Sequence, residues 1–321
     1  MGFDLDNLPS YKDLPVKADA PAGSAWGLFG DEDQLGTLNL LTPERVAGAA
    51  KLVRKGATFP LNLRIDEPNP PMFGRGSPRQ HLEVGPVSRD DYLDNFWPQA
   101  SSQWDSMRHI MHPAHGFYNG TKPEEIVSGG GRLGIENMAN RGIAGRGVLL
   151  DLGRYMASQG TPLDCSTNQA ISADTLNGCA KTHGVSIRPG DVLLLRTGWL
   201  EWYLTKATPE QKLYMSGDAM TQLKAPGLEH TEAMAEYLWD LHIAAIAADN
   251  PSVEVWPPEP PMGFLHFRLI PLFGMPIGEL WWLDGLADDC AADGVYEFFF
   301  TSAPLNVPGG VGSPPNALAI K

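Results

Sequence analysis

Asp191-Val-Leu-Leu-Leu-Arg-Thr197 follows an Arg188-Pro-Gly190 turn and decides the fold class. Its apolar run is too short for a core helix and is bounded by turn residues, so it predicts a strand buried on both faces. Gly147-Val-Leu-Leu-Asp151 and Ile243-Ala-Ala-Ile-Ala-Ala248 repeat the pattern. Helical segments lie between these runs. Ser172 is placed to cap a short helix through Leu176 and Ala180 that ends at Gly184, and Leu228 to His242 carries Met234, Leu238 and Leu241 at helical spacing. Further out, Thr42-Pro43-Glu44 predicts a helix running through Val53 to Gly56, Phe59 to Ile65 alternates like a half-buried strand, and Val295 to Thr301 reads as a late strand. Strands alternating with covering helices give an α/β fold. Residues 66–147 read as loop-rich.

The chain has 321 residues and a formal net charge of −14. An acidic surface repels phosphate backbones, so no nucleic-acid partner is expected. No apolar run approaches the ~20 residues that span a bilayer, and Met1 to Pro9 lacks a basic region followed by an apolar core, so neither a membrane nor secretion is expected. Cys165, Cys179 and Cys290 are too few and too widely spaced for a disulfide framework, which suits a reducing cytoplasm. The 35 glycines and 28 prolines are spread along the chain, so they predict many ordered turns and no dividing linker.

The chemistry concentrates in Gln99-Ala-Ser-Ser-Gln-Trp-Asp-Ser-Met-Arg-His109, with His112 and His115 just beyond. Asp105 and His109 offer oxygen and nitrogen donors suited to a divalent metal. Pro113 prevents one continuous helix from aligning the three histidines. His266 in Phe264-Leu-His-Phe267 and Glu279 in Pro276-Ile-Gly-Glu-Leu-Trp281 are polar residues set in apolar sequence, so they need buried partners, of which a metal is one and a hydrogen bond another. Pro257-Pro-Glu-Pro-Pro261 reads as a rigid extended segment. Asp249 and Glu254 follow a predicted strand and are candidate site-wall residues or turn caps. Gly129-Gly-Gly131-Arg-Leu-Gly134 fits the GxGxxG spacing, but no buried strand precedes it, so it reads as a glycine-rich loop. Neither a GxSxG elbow nor a phosphate loop is present.

Taken together, these segments resemble the cyclase family, which includes bacterial kynurenine formamidase, isatin hydrolase and trans-dienelactone hydrolase. The family signature HxGTHxDxxxH falls on Gln99 to His109. Trp26-Gly27 with Asp31 to Asn39, the strands ending at Asp151 and Thr197, Ala248 to Glu254, His266, Glu279 and the tail from Ser302 to Asn316 are similar in the same order. The resemblance implies a swivelling β/β/α-type single domain over 24–321, with 1–23 as an N-terminal extension. It implies a metal-dependent hydrolase that cleaves an amide, lactam, lactone or formamide bond of a small cyclic or aromatic substrate with metal-activated water. It implies metal ligands at Asp105, His109, His266, Glu279 and Gln103, catalytic roles for His109 and Asp105, and substrate contacts from Trp104, Phe117, Tyr118 and Gln99. A homodimer or higher homo-oligomer is also implied. The departure is that two signature histidines are Gln99 and Gln103 here. Fewer nitrogen donors suit one Mn²⁺ or Zn²⁺ per chain rather than a binuclear centre. Two other readings stay open: a metal-independent cyclase or dehydratase on the same fold, and a non-catalytic small-molecule-binding protein.

Overall fold

The computed structural model describes residues 7–258 and 264–321. Most of the Pro257 to Pro261 segment lies outside them, as does the start of the chain through residue 6. Among the described residues, nine strands form one mixed sheet. We label the strands in chain order: β1 Thr58–Pro60, β2 Arg79–Val84, β3 Arg89–Asp94, β4 Gln103–Asp105, β5 Ile143–Asp151, β6 Val192–Arg196, β7 Ala245–Ala248, β8 Ile277–Glu279, β9 Glu297–Ser302, β10 Gly312–Ser313 and β11 Ala317–Ile320. The large sheet runs β1-β11-β9-β5-β6-β7-β8-β4-β10. Its centre, β5-β6-β7-β8, is parallel, and both flanks are antiparallel.

The three apolar runs form that centre, and every side chain of β6 and β7 is buried. Apolar residues on both sides of the sheet meet separate cores, Val148 and Leu150 facing one and Leu149 the other. The capping chemistry operates as expected. Thr42 Oγ1 accepts from Arg45 N at 3.3 Å and Ser172 Oγ from Thr175 N at 3.3 Å. Several elements are shorter than the pattern predicts: the helix read over Leu228 to His242 spans Glu232–Asp240, and the strand read from Ile243 begins at Ala245. The first helix closes at Ala50, leaving Val53 exposed, and β1 ends at Pro60, beyond which Leu61 bonds to Ala317 without regular pairing.

The loop-rich reading of 66–147 is corrected at several points, among them the helix Ile135–Arg141 and the start of β5 at Ile143. β2 and β3 form an antiparallel hairpin that is almost wholly exposed. β4 is a fully buried strand of the main sheet. Gly130–Gly131 pairs with Ile126–Val127 in a small hairpin, so the glycine run is a turn. The described part of the N-terminal extension docks on the helix Glu232–Asp240, with Tyr11 N donating to Asp240 Oδ1 at 2.7 Å and Trp239 Nε1 to Pro9 O at 2.9 Å.

Candidate active site

The site is built where β4 and β8 pair. Their antiparallel register sets Gln103 opposite Glu279 and Asp105 opposite Ile277. Strand alternation then points Gln103, Asp105 and Glu279 to one face and Trp104 to the other. Gln103 Nε2 donates to Glu279 Oε2 at 2.5 Å across the pair. On the opposite face Trp104 meets Trp281 edge-on, with ring centroids 4.7 Å apart, and its Nε1 donates to Ser302 Oγ at 2.9 Å. Gly278 makes this packing close, because a Cβ there would lie 2.6 Å from Ala247 Cβ and 2.7 Å from Trp281 Nε1.

His266 begins the short helix His266–Leu269. Glu254, wholly buried on the loop after β7, holds it by three bonds. The carboxylate accepts from Leu265 N at 2.5 Å and His266 N at 3.1 Å, and pairs with His266 Nδ1 at 2.6 Å. A proton on Nδ1 satisfies that carboxylate and turns Nε2 toward Glu279 Oε1, 3.0 Å away. Asp105, His266 and Glu279 each present one donor atom within 4.8 Å of the others, and all three residues are buried.

Burial and the Asp105 charge push the Glu279 carboxyl up to about 7. Burial opposes charge on His266, but the bonds to Glu254 and Glu279 outweigh it and hold the imidazolium up to about 10. The centre thus gathers more buried negative charge than its imidazole offsets. Asp105 makes this concrete: Oδ1 accepts from Gln99 Nε2 at 2.8 Å, while Oδ2 is buried with no partner. A buried carboxylate oxygen without a donor is costly. An O,N,O donor set with one orphaned oxygen fits a divalent cation.

His109 stands beside this triad and not within it, with Nε2 3.8 Å from Asp105 Oδ2 and its side chain 21 % exposed. Gln99 Nε2 lies 2.9 Å from His109 Nδ1. The same amide NH₂ also serves Asp105, so Nδ1 is the acceptor and the His109 proton sits on Nε2. Burial holds the His109 imidazolium below its usual range; Asp105 works against that shift, and His266 and Arg75 reinforce it.

Gln103 departs from its expected role. Its Oε1 accepts from Arg75 Nη1 at 3.4 Å, and its Nε2 donates to Glu279. Exchanging the two ends would set NH₂ against a guanidinium and oxygen against a carboxylate, so the orientation is set by charge. The amide oxygen is therefore turned away from the triad. Tyr118 is fully buried and donates to Asp33 Oδ2 at 3.1 Å, and Phe117 packs in the core with Tyr118. Neither they nor Trp104 supply the apolar wall. The rings around His266 are instead Phe264, stacked on it at 4.5 Å, then Trp256 and Phe73. His112 and His115 stack on each other at 4.5 Å and do not join the triad. Asp249 accepts from Thr197 N and Gly198 N, both at 2.7 Å, and braces β6. Burial raises the Cys165 thiol to about 12, which leaves it unreactive at neutral pH.

Arg75 escaped sequence reasoning. Gly74-Arg75-Gly76 has no periodicity or motif, and only the fold brings the guanidinium beside the carboxylates. Glu254 was signalled by its place after a strand.

Residues 57–255 match the family model described as "Putative cyclase". A crystal structure of a novel cyclase is 34 % identical, covers 93 % of this chain and 99 % of its own, and superposes with a TM-score of 0.81. Isatin hydrolase A from Labrenzia aggregata, solved with benzyl benzoate, shares the fold at 17 % identity, with a TM-score of 0.58 over 88 % of this chain and 98 % of its own. An isatin hydrolase bound to the product analogue thioisatinate does so at 16 % identity and a TM-score of 0.56, over 82 % of this chain and 91 % of its own. No curated protein matches the sequence.

Proposed function

The chain belongs to the cyclase family, and on that premise we propose that it is a metal-dependent hydrolase of a small cyclic or aromatic amide, lactam, lactone or formamide. The observation that carries this reading is the buried triad Asp105, His266 and Glu279 with its orphaned Asp105 oxygen. Asp105, His266 through Nε2, and Glu279 would hold one Mn²⁺ or Zn²⁺. Such an ion supplies Lewis acidity, lowering the pKa of water toward ~7 and polarising a carbonyl.

The protein's own groups do the rest. Glu254 keeps a proton on His266 Nδ1, so a metal ion would take the place of the Nε2 proton that faces Glu279. Gln99 keeps the proton on His109 Nε2, at the partly exposed edge of the site. That N–H suits His109 to donate a hydrogen bond to the oxygen or nitrogen on which negative charge develops, and the leaving atom takes its proton from the water that attacks. Gln103 holds Glu279 by its amide instead of competing as a ligand.

A second reading has one observation in its favour. Glutamine amides donate to both Asp105 and Glu279, as they would in a site that closes on itself without metal. That reading is a metal-independent cyclase or dehydratase. Screening lactones, lactams and N-formyl aromatic amines before and after chelation separates the two. The hydrolase reading expects turnover that disappears with the metal and returns with Mn²⁺ or Zn²⁺. Turnover unaffected by chelation favours the second.

A further inference from the structure

Arg75 is a half-buried cation whose guanidinium is committed on one side only. Nη1 donates to Gln99 O and to Gln103 Oε1. Among the described residues no carboxylate lies within ion-pair distance of it, and no protein acceptor meets Nε or Nη2. The edge left open is the Nε–Nη2 fork, the edge that takes a carboxylate through two parallel hydrogen bonds.

The surroundings define what would accompany that carboxylate. The guanidinium carbon lies 5.0 Å over the Phe73 ring. Phe73 meets Trp256 at 5.2 Å, Trp256 meets Phe264 at 6.0 Å, and Phe264 stacks on His266. A continuous run of rings therefore joins the open guanidinium to the triad. Phe73 is held at φ 57, a conformation that bulky residues adopt only where the structure enforces it. The turn that presents Arg75 is thus specified by its surroundings.

We propose that Arg75 is the substrate-recognition cation of this site, and that the substrate is a monoanion: a planar aromatic or cyclic molecule bearing a carboxylate apart from the bond that is cleaved. The carboxylate occupies the Nε–Nη2 fork and the ring lies along Phe73, Trp256 and Phe264. One guanidinium facing two buried carboxylates suits a single negative charge better than a phosphate dianion. The inference rests on the hydrolase reading for the cleaved bond only; the binding claim stands without it.

The test is a titration of benzoate against its neutral near-isostere benzamide, by calorimetry, on the full chain. The metal-free protein is the deciding arm, because a carboxylate also ligates a metal. Wild-type protein is expected to prefer benzoate by about tenfold or more. R75Q is expected to abolish the preference, and R75K, which keeps the charge and loses the fork, to retain only part of it. Thermal melts establish that each variant is folded. Equal affinity for the two probes in the wild type overturns the proposal even if R75Q does not fold. An unchanged preference in folded R75Q also overturns it. Intact benzoate preference with no hydrolysis of lactones, lactams and N-formyl aromatic amines that carry a ring carboxylate sinks the hydrolase reading and leaves Arg75 as the carboxylate site.

Discussion

At Asp105 the two carboxylate oxygens have different surroundings, one held by Gln99 and the other without a donor. Gln99 reaches both Asp105 and His109, so it fixes a carboxylate and a tautomer with one NH₂ group. Replacing it with leucine removes both bonds at similar volume. We expect Gln99→Leu to lower kcat by about 10–100-fold, the usual scale for a supporting hydrogen bond at such a centre, with KM nearly unchanged. The Nδ1 and Nε2 resonances of His109, followed by NMR, should shift toward tautomer exchange. Glu254 acts one step further out. Glu254→Gln keeps an acceptor for His266 Nδ1 and removes its charge, so metal affinity should fall by about 10–100-fold in a competition titration while the fold persists. Asp105 and His109 stood out in the chain as close-spaced oxygen and nitrogen donors, and His266 and Glu279 as polar residues in apolar sequence, while their grouping around a metal was implied only by the family resemblance. Arg75 could not, because an arginine between two glycines carries no pattern until the fold places it.

The element that decides the site is the β4–β8 pair. It was illegible in the sequence for a physical reason: Gln103-Trp-Asp105 is three residues long and polar on its inner face, so it shows no strand periodicity. The central strands β5, β6 and β7 are apolar on both faces and were legible for the converse reason. Capped helices were also readable, since Thr42 and Ser172 perform a local task that needs no tertiary context. The pair tolerates little change behind it. Gly278→Ala sets a methyl against Ala247 Cβ and Trp281, and neither can swing aside. We expect a loss of about 1–3 kcal/mol in urea unfolding, together with a changed near-UV signal from Trp104 and Trp281. The displaced Glu279 should weaken metal binding in the same variant.

Across the whole molecule, a parallel centre with antiparallel flanks brings residues from sequence positions 75, 105, 254, 266 and 279 to one place. The sheet is fastened by buried polar groups as well as by its cores. Arg146 on β5 is 8 % exposed and donates to Asp191 Oδ2 at 2.6 Å and Glu297 Oε2 at 2.8 Å, tying β5 to β9 and to the residue that precedes β6. Arg146→Ala removes the ion-pair partner of the buried Asp191 carboxylate and leaves it the bond from Arg188 N, and we expect a cost of about 3 kcal/mol in equilibrium unfolding. The N-terminal segment contributes too. Leu14 is buried in the same core as Trp239 and Phe273, so Leu14→Ala should destabilise the protein by about 2–3 kcal/mol, which a reduced midpoint in urea would show. Among the described residues no helix is long and apolar enough to cross a membrane.

The central claim is that Asp105, His266 and Glu279 hold one divalent ion that hydrolysis requires. Elemental analysis of the wild type, Asp105→Ala and His266→Ala after growth with Mn²⁺ and Zn²⁺, paired with turnover on the lactone, lactam and formamide panel, tests it most directly. The account predicts near one equivalent per chain in the wild type, and loss of metal and activity together in both variants. Full activity in either folded, metal-free variant would contradict it.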